Sequence, residues 1–247
     1  MDRKLAKDTL KEFLSLPIST SKTVLEIFEK LPRSISHYDE PTKNFVYVPG
    51  TREDRVLLIA HSDTVWDKDG LGDKIYEQTL VEEKGHFFGK NPDCGIGADD
   101  RSGCAILWLL RNSGHSLLIT DGEEIGCVTS RHIKENYPEL YDEFNNHSYM
   151  IQFDRREKGN YKFYNIPVTK EFEDFIADNT GYYNSGTNSG TDIKVLARDI
   201  CAVNLSVGYY NEHTPFESIV FEEWLETLEN AEKILEGKQK KYPLNKE

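Results

Sequence analysis

With 247 residues, 38% of them hydrophobic and 30% charged, the chain can bury a sizeable core and does not have the composition of a disordered segment. A formal net charge of −13, with Lys and Arg dispersed, disfavours nucleic acid and anionic lipid as partners. The longest apolar runs, such as Val56 to Ala60 and Ala105 to Leu110, are too short to span a bilayer, and the start MDRKLAKDTLKEF lacks a secretory apolar segment, so a cytoplasmic location is expected.

The first forty residues carry two amphipathic helical patterns, one with Leu5, Leu10, Phe13 and Leu14, the next with Val24, Leu25, Phe28 and Leu31, punctuated by Pro17 and Pro32. Asn44 to Val48 reads as a strand turning at Pro49-Gly50, and VLLIA at Val56 to Ala60 as a buried strand. Turn-rich stretches around Asp67 to Asp73 and Asn91 to Gly97 flank the hairpin-like TLVEEKGHFFG. Helical periodicity follows at Ser102 to Asn112, a buried strand at Ser116 to Thr120, a helix at Val128 to Asn136, and a strand at Ser148 to Phe153. Thr169 to Asn179 suggests a helix, Ile193 to Ala197 and Ala202 to Val207 alternate like strands, and Ser218 to Glu236 reads as a last long helix.

No linker, repeat or low-complexity run divides residues 1–247, so one domain is expected. Short apolar strands alternating with helices imply an α/β layer structure with helices on both sheet faces. Cys94, Cys104, Cys127 and Cys201 form no CxxC pair and read as small buried thiols. His37, His86, His115, His132 and His147 have no partner pattern and are expected at the surface.

In open α/β sheets, sites form beyond the carboxyl ends of the strands. His61-Ser62-Asp63 follows VLLIA, Asp121-Gly122-Glu123-Glu124 follows SLLIT, Asp154 follows MIQF, and His213 comes shortly after AVNLSV. Asp99 lies in the glycine-rich turn GIGADDRSG before a helix. Taken singly, each has a plainer reading: Asp100 as a helix cap, Glu123 and Glu124 as solvated loop acids. Together they match what two divalent ions require, one bridging carboxylate with an imidazole and a carboxylate per ion: His61, Asp99, Glu124, Asp154 and His213. Glu123 is then free to take a proton from water, and Asp63 to hold the other nitrogen of His61.

HSDT at His61 to Thr64, GADDRSG at Gly97 to Gly103, DGEEIG at Asp121 to Gly126, FDRR at Phe153 to Arg156 and NEHTPFE at Asn211 to Glu217 resemble, in order, the motifs of the co-catalytic dinuclear zinc peptidases. That group includes leucyl aminopeptidases, peptidase T and aminoacylase-like enzymes, and the match spans about residues 55 to 235. The resemblance implies a three-layer α/β/α catalytic domain around a central mixed, mostly parallel sheet. It implies Asp99 as the bridging carboxylate, with a cis Asp99-Asp100 bond as in relatives, His61 and Asp154 on one ion, and Glu124 and His213 on the other. Glu123 would be the general base and Asp63 the acid that orients His61. The cofactors implied are two Zn2+ ions, with Co2+ or Mn2+ as alternatives.

Many relatives insert a lid or dimerisation domain between the positions of Asp154 and His213, and here the segment has no room for one. The chain therefore looks like the compact aminopeptidases, and its oligomeric state stays open. Thr191, Asp192 and Arg155, with Arg156, are candidates for contacting substrate; a flexible turn for Thr191 and Asp192, and pairing of the two arginines with local acids such as Glu157, are the alternatives. The expected activity is hydrolysis of an amide bond in a small peptide by a water that two zinc ions activate, as an aminopeptidase or a di- or tripeptidase. An N-acyl amino acid amidohydrolase with the same site, and a metal-binding module without turnover, are the rival readings. A calcium loop at Asp67 fails at Leu71 and Gln78, and no nucleophile elbow, P-loop or dinucleotide fingerprint is present.

Overall fold

The apolar runs at LLIA, SLLIT and MIQF pack as strands because both of their faces meet hydrophobic helices. The computed structural model describes residues 2–38, 40–68, 74–186 and 189–245, so most of the turn-rich stretch at 67–73 lies outside the described residues. Helix α1 (Arg3–Leu14) starts where the Asp2 carboxylate accepts from the Lys4 and Leu5 amides at 2.8 and 3.2 Å, and it buries Ala6, Leu10, Phe13 and Leu14. Helix α2 (Lys22–Glu29) buries Val24, Leu25 and Phe28.

The strands β1 (Ile35–His37), β2 (Phe45–Val48) and β3 (Leu57–His61) follow. The hairpin of β4 (Leu80–Glu83) and β5 (His86–Gly89) turns through Lys84 and Gly85, whose φ of 51° and 83° give the twist a two-residue hairpin needs. Helix α3 (Ala98–Leu110), β6 (Ser116–Thr120), α4 (Val128–Asn136), α5 (Pro138–Asn145) and β7 (Met150–Arg155) complete the first half. The second half holds β8 (Asn160–Lys162), α6 (Lys170–Thr180), β9 (Tyr183–Asn184), α7 (Asp192–Leu196) and β10 (Ala202–Ser206). It ends with β11 (Tyr209–Tyr210), β12 (Ser218–Val220) and α8 (Phe221–Leu235).

Eight strands form one mixed, mostly parallel sheet in the order β1-β2-β6-β3-β7-β10-β8-β9, with β6, β3, β7 and β10 parallel at its centre. A smaller antiparallel sheet, β11-β12-β5-β4, carries the hairpin. Alternate residues of β3 serve different cores: Leu58 and Ala60 pack with α1, α2, α3, α6 and α8, while Leu57 and Ile59 pack with α4, α5 and α7. The result is the three-layer α/β/α architecture. From β3 the chain crosses to β6 on one side and then returns past β3 to β7 on the other. That reversal opens a crevice at the carboxyl end of β3, where His61 sits.

Three readings of the sequence are corrected. Ile193 to Ala197 is helical, not extended: Ile193 and Leu196, three apart, both enter the core, which a helix turn permits and a strand does not. Ser218 to Val220 is a strand paired with β5, and the last helix begins only at Phe221. His115 and His147 are buried, at 2% and 1% exposure, rather than at the surface. All four cysteines are free and buried, and among the described residues no helix is long and apolar enough to cross a membrane.

Candidate active site

The carboxyl ends of β3, β6 and β7, the start of α3 and the turn after β11 bring His61, Glu124, Asp154, Asp99 and His213 together. His61 Nε2 lies 3.1 Å from Asp99 Oδ1 and 3.5 Å from Asp154 Oδ1. His213 Nε2 lies 3.3 Å from Asp99 Oδ2 and 3.0 Å from Glu124 Oε2. The two oxygens of Asp99 thus face two different imidazoles, each of which also has a carboxylate of its own.

Backbone geometry aims these groups. The Asp99-Asp100 peptide is cis, and Asp99 and Asp100 have non-helical dihedrals at the head of α3. Asp100 accepts from the amides of Gly103 at 2.9 Å and His61 at 3.2 Å, so its oxygens tie the helix start to β3. It is near enough to His61 and Asp154 to share an ion with them, but both of its oxygens are already committed to backbone amides. Gly103 has to lack a side chain, since a Cβ there would lie 2.1 Å from the Phe153 carbonyl oxygen.

Asp63 holds both neighbours in place. It sits beside His61, whose Nδ1 lies 3.0 Å from the Asp63 carbonyl oxygen and 3.3 Å from its carboxylate, and that carboxylate also accepts from the Glu123 and Glu124 amides at 3.2 and 3.1 Å. Asp154 is oriented by Gln152 at 2.9 Å, Thr191 at 2.7 Å and an exchange of bonds with Asn204. Among the described residues Glu123 has no hydrogen bond or ion pair to His61 or His213, and the Cys127 thiol lies 3.8 Å from its carboxylate.

Crowded acids in a buried crevice reshape the titrations. Burial alone would lower His61, yet Asp154, Asp63 and Asp99 hold it well above the ordinary imidazole range. Hydrogen bonds to Asp99 and Glu124 push His213 up to about 11. Burial, then the charge of Asp99, raises Glu124 to about 7, and burial with Asp154 nearby raises Glu123 well above the usual carboxylate range. Cationic charge is what this cluster calls for, and protons on the imidazoles supply it in the bare protein. A donor set of imidazole and carboxylate with ligand atoms inside 4.8 Å, as for His61, Asp99 and Glu124, fits a divalent ion that would displace those protons.

The crevice continues into a cavity of about 670 Å3 lined by Asp99, Glu123, Glu124, Asp154 and His213, by Arg155, Arg156 and Lys162, and by Thr191 and Tyr209. Arg156 pairs with Glu212 at 2.9 Å rather than with Glu157. Thr191 lines the cavity with its hydroxyl given to Asp154. Asp192 does not line it: fully buried, it accepts from Thr120 at 2.7 Å and Ser130 at 2.6 Å.

Glu217 was not singled out by sequence reasoning. Buried to 1% exposure, it accepts from the amides of Ile96 at 2.8 Å, Gly97 at 2.7 Å and Asp99 at 3.0 Å, and so shapes the turn that presents Asp99. Its place in NEHTPFE, four residues after His213, was the available signal. Lys162 and Tyr209 were missed too; Lys162, a lone cation within the aromatic run YKFY, was readable as such.

No family model and no curated protein sequence matches the chain. Solved structures do. Aminopeptidase PepT from Bacillus cereus is 15% identical, with a TM-score of 0.69 over 95% of this chain and 98% of that one. A Staphylococcus aureus tripeptidase is 14% identical, with a TM-score of 0.65 over 95% and 98%. The Pyrococcus horikoshii TET1 peptidase is 13% identical, with a TM-score of 0.64 over 93% and 99%. The chain shares the fold of these peptidases.

Proposed function

We propose that the chain is a metal-dependent hydrolase that cleaves the amide bond of short peptides, as an aminopeptidase or di- or tripeptidase with two divalent ions, zinc by preference. The observation that carries this reading is Asp99, whose two oxygens each face a different imidazole–carboxylate pair. In this reading Asp99 is shared, His61 and Asp154 hold one ion, and Glu124 and His213 hold the other. Bound there, the ions would acidify a water toward neutral pH and polarise a carbonyl oxygen.

Glu123 is the proton carrier. It is half-buried in the cavity wall next to Glu124, with no bond to either imidazole among the described residues, so its carboxylate is free to face the attacking water. It accepts a proton from the attacking water and returns it to the leaving amine nitrogen. Asp63 keeps the Glu123–Glu124 turn and the His61 ring in register through bonds to both. The fold likeness to peptidases agrees with this reading without choosing the substrate.

The substitution Glu123→Gln keeps shape and removes the proton acceptor. With zinc, cobalt or manganese added, the wild type should hydrolyse dipeptides, tripeptides or aminoacyl-nitroanilides. Glu123→Gln should retain its metal content and lose about 100-fold to 10,000-fold in kcat. A metal-loaded Glu123→Gln variant with undiminished turnover would falsify the assignment; cleavage of N-acetyl amino acids in place of peptides would move the substrate to acyl amides.

A further inference from the structure

The cavity holds a second electrostatic pole that peptide-bond hydrolysis does not require. Lys162, at the end of β8, is 6% exposed and lines the cavity together with Arg155 and Arg156. Its ammonium sits 5.2 Å from the centre of the Tyr164 ring and 3.4 Å from Ser189 Oγ. Arg155 donates to the side-chain carbonyl oxygen of Asn160. Of the three cations, Arg156 alone has a carboxylate partner among the described residues, Glu212.

Burial, followed by repulsion from Arg155 and Arg156, lowers the Lys162 pKa, and no acid is among the groups that offset this. Three cations in one cavity wall repel one another, and an anionic ligand bound between them relieves that repulsion. We propose that Lys162 and Arg155 form a subsite for a carboxylate on the substrate, the free α-carboxylate of a short peptide. Arg155 offers a planar fork that suits a carboxylate and Lys162 a point charge beside it. At about 670 Å3 the cavity is of a size that engulfs a small ligand whole, so a substrate held inside it brings its terminus as well as its scissile bond. An acidic side chain would offer the same chemistry, and the test separates the two. The inference rests on the peptidase reading, which places the scissile amide at the acidic end of the same cavity.

Zinc-loaded Glu123→Gln protein, which binds without turnover, is titrated calorimetrically with trialanine, trialanine amide and Asp-Ala amide, and the wild type is assayed on the same three peptides. Trialanine should bind about tenfold or more tighter than its amide, and Lys162→Met in the same background should bring that ratio close to one. Equal binding of trialanine and its amide overturns the subsite, and a gain confined to Asp-Ala amide transfers it to a side chain and overturns the terminal assignment. Retained discrimination in Lys162→Met removes Lys162 from it. The comparison of acid and amide needs no Lys162 variant, so a folding failure of that variant leaves it decisive. Turnover by the wild type without discrimination would defeat the subsite alone; discrimination in binding without any turnover would defeat the peptidase reading alone.

Discussion

Histidines occupy both ends of the parallel strands, and the two ends treat them in opposite ways. At the carboxyl end, His61 and His213 lie among carboxylates and are biased toward the charged form. At the amino end, His115 precedes β6 and His147 precedes β7, both buried, and burial lowers each to about 4. His115 Nδ1 accepts from the Val56 amide at 3.0 Å, which leaves Nε2 to donate to the Leu235 carbonyl at 3.3 Å. His147 Nδ1 donates to the Glu143 and Phe144 carbonyls at 3.0 and 3.1 Å, and Nε2 lies 2.8 Å from Ser116 Oγ. The His115 ring accepts at one nitrogen and donates at the other, which only the neutral form allows, and burial biases His147 toward the same form. One residue type is thus a cation-site ligand candidate at one end and a strand-linking hydrogen-bonder at the other, and its neighbours decide which.

The largest effect should come from breaking the charged end. His61→Ala removes an imidazole that touches both Asp99 and Asp154, and it leaves these acids without their shared partner. Metal content measured by elemental analysis should fall by at least one ion per chain, and peptide hydrolysis should drop to background. His147→Gln should keep its full metal complement. If His61→Ala bound as much metal as the wild type, the functional contrast between the two ends would be gone.

A smaller loss is expected where the charged end is only supported. Glu217→Gln keeps the volume but replaces one carboxylate oxygen with an NH2 that cannot accept from the Ile96, Gly97 or Asp99 amides. Loss of such outer support costs about 10-fold to 100-fold in metal affinity or activity, and metal titration monitored with a competing chelator reads it. An unchanged affinity would show that the turn before α3 holds Asp99 without Glu217.

The five ligand candidates were legible because each follows an apolar run or a glycine turn, and parallel strands deliver such positions to one edge. The β6 strand was legible to the residue, since SLLIT is apolar on both faces and bounded by polar residues. The α7 helix was not, because five residues are too few to separate periods of two and 3.6. Glu217 escaped because its partners, the amides of Ile96, Gly97 and Asp99, lie about 120 positions away in the chain. His115 was misread for the same reason, since the Leu235 carbonyl that covers it is supplied by the far end of α8, while His147 bonds the nearby Glu143 and Phe144 carbonyls and only its Ser116 partner comes from a distant strand.

The two ends should also separate by pH, with the mildest effect of the set. For His115 and His147 the folded value of about 4 lies below the unfolded value near 6.5. Between those values the unfolded chain binds the extra proton, so their contribution to stability is intact above about pH 7 and is lost as pH falls from about 6.5 toward 4. The slope is about 1.4 kcal/mol per pH unit for each histidine, which gives on the order of 2 kcal/mol each between pH 7 and pH 5. Without metal the other end works in different windows. His61 and His213, with raised values, add stability that is fully present below about pH 6.5 and disappears as pH rises through their folded values, about 11 for His213. Glu124, raised to about 7, makes folding more favourable as pH falls toward 4.5, opposite to the buried histidines. The wild-type curve therefore mixes both signs, and a difference between variants separates them. His147→Gln should lower stability at pH 7, yet its urea midpoint should decline less steeply than that of the wild type between pH 6.5 and 4.5, because one of the two acid-sensitive rings is gone. Parallel curves would mean that His147 binds protons equally in the folded and unfolded chain, and the claim that the amino end holds neutral rings would fail.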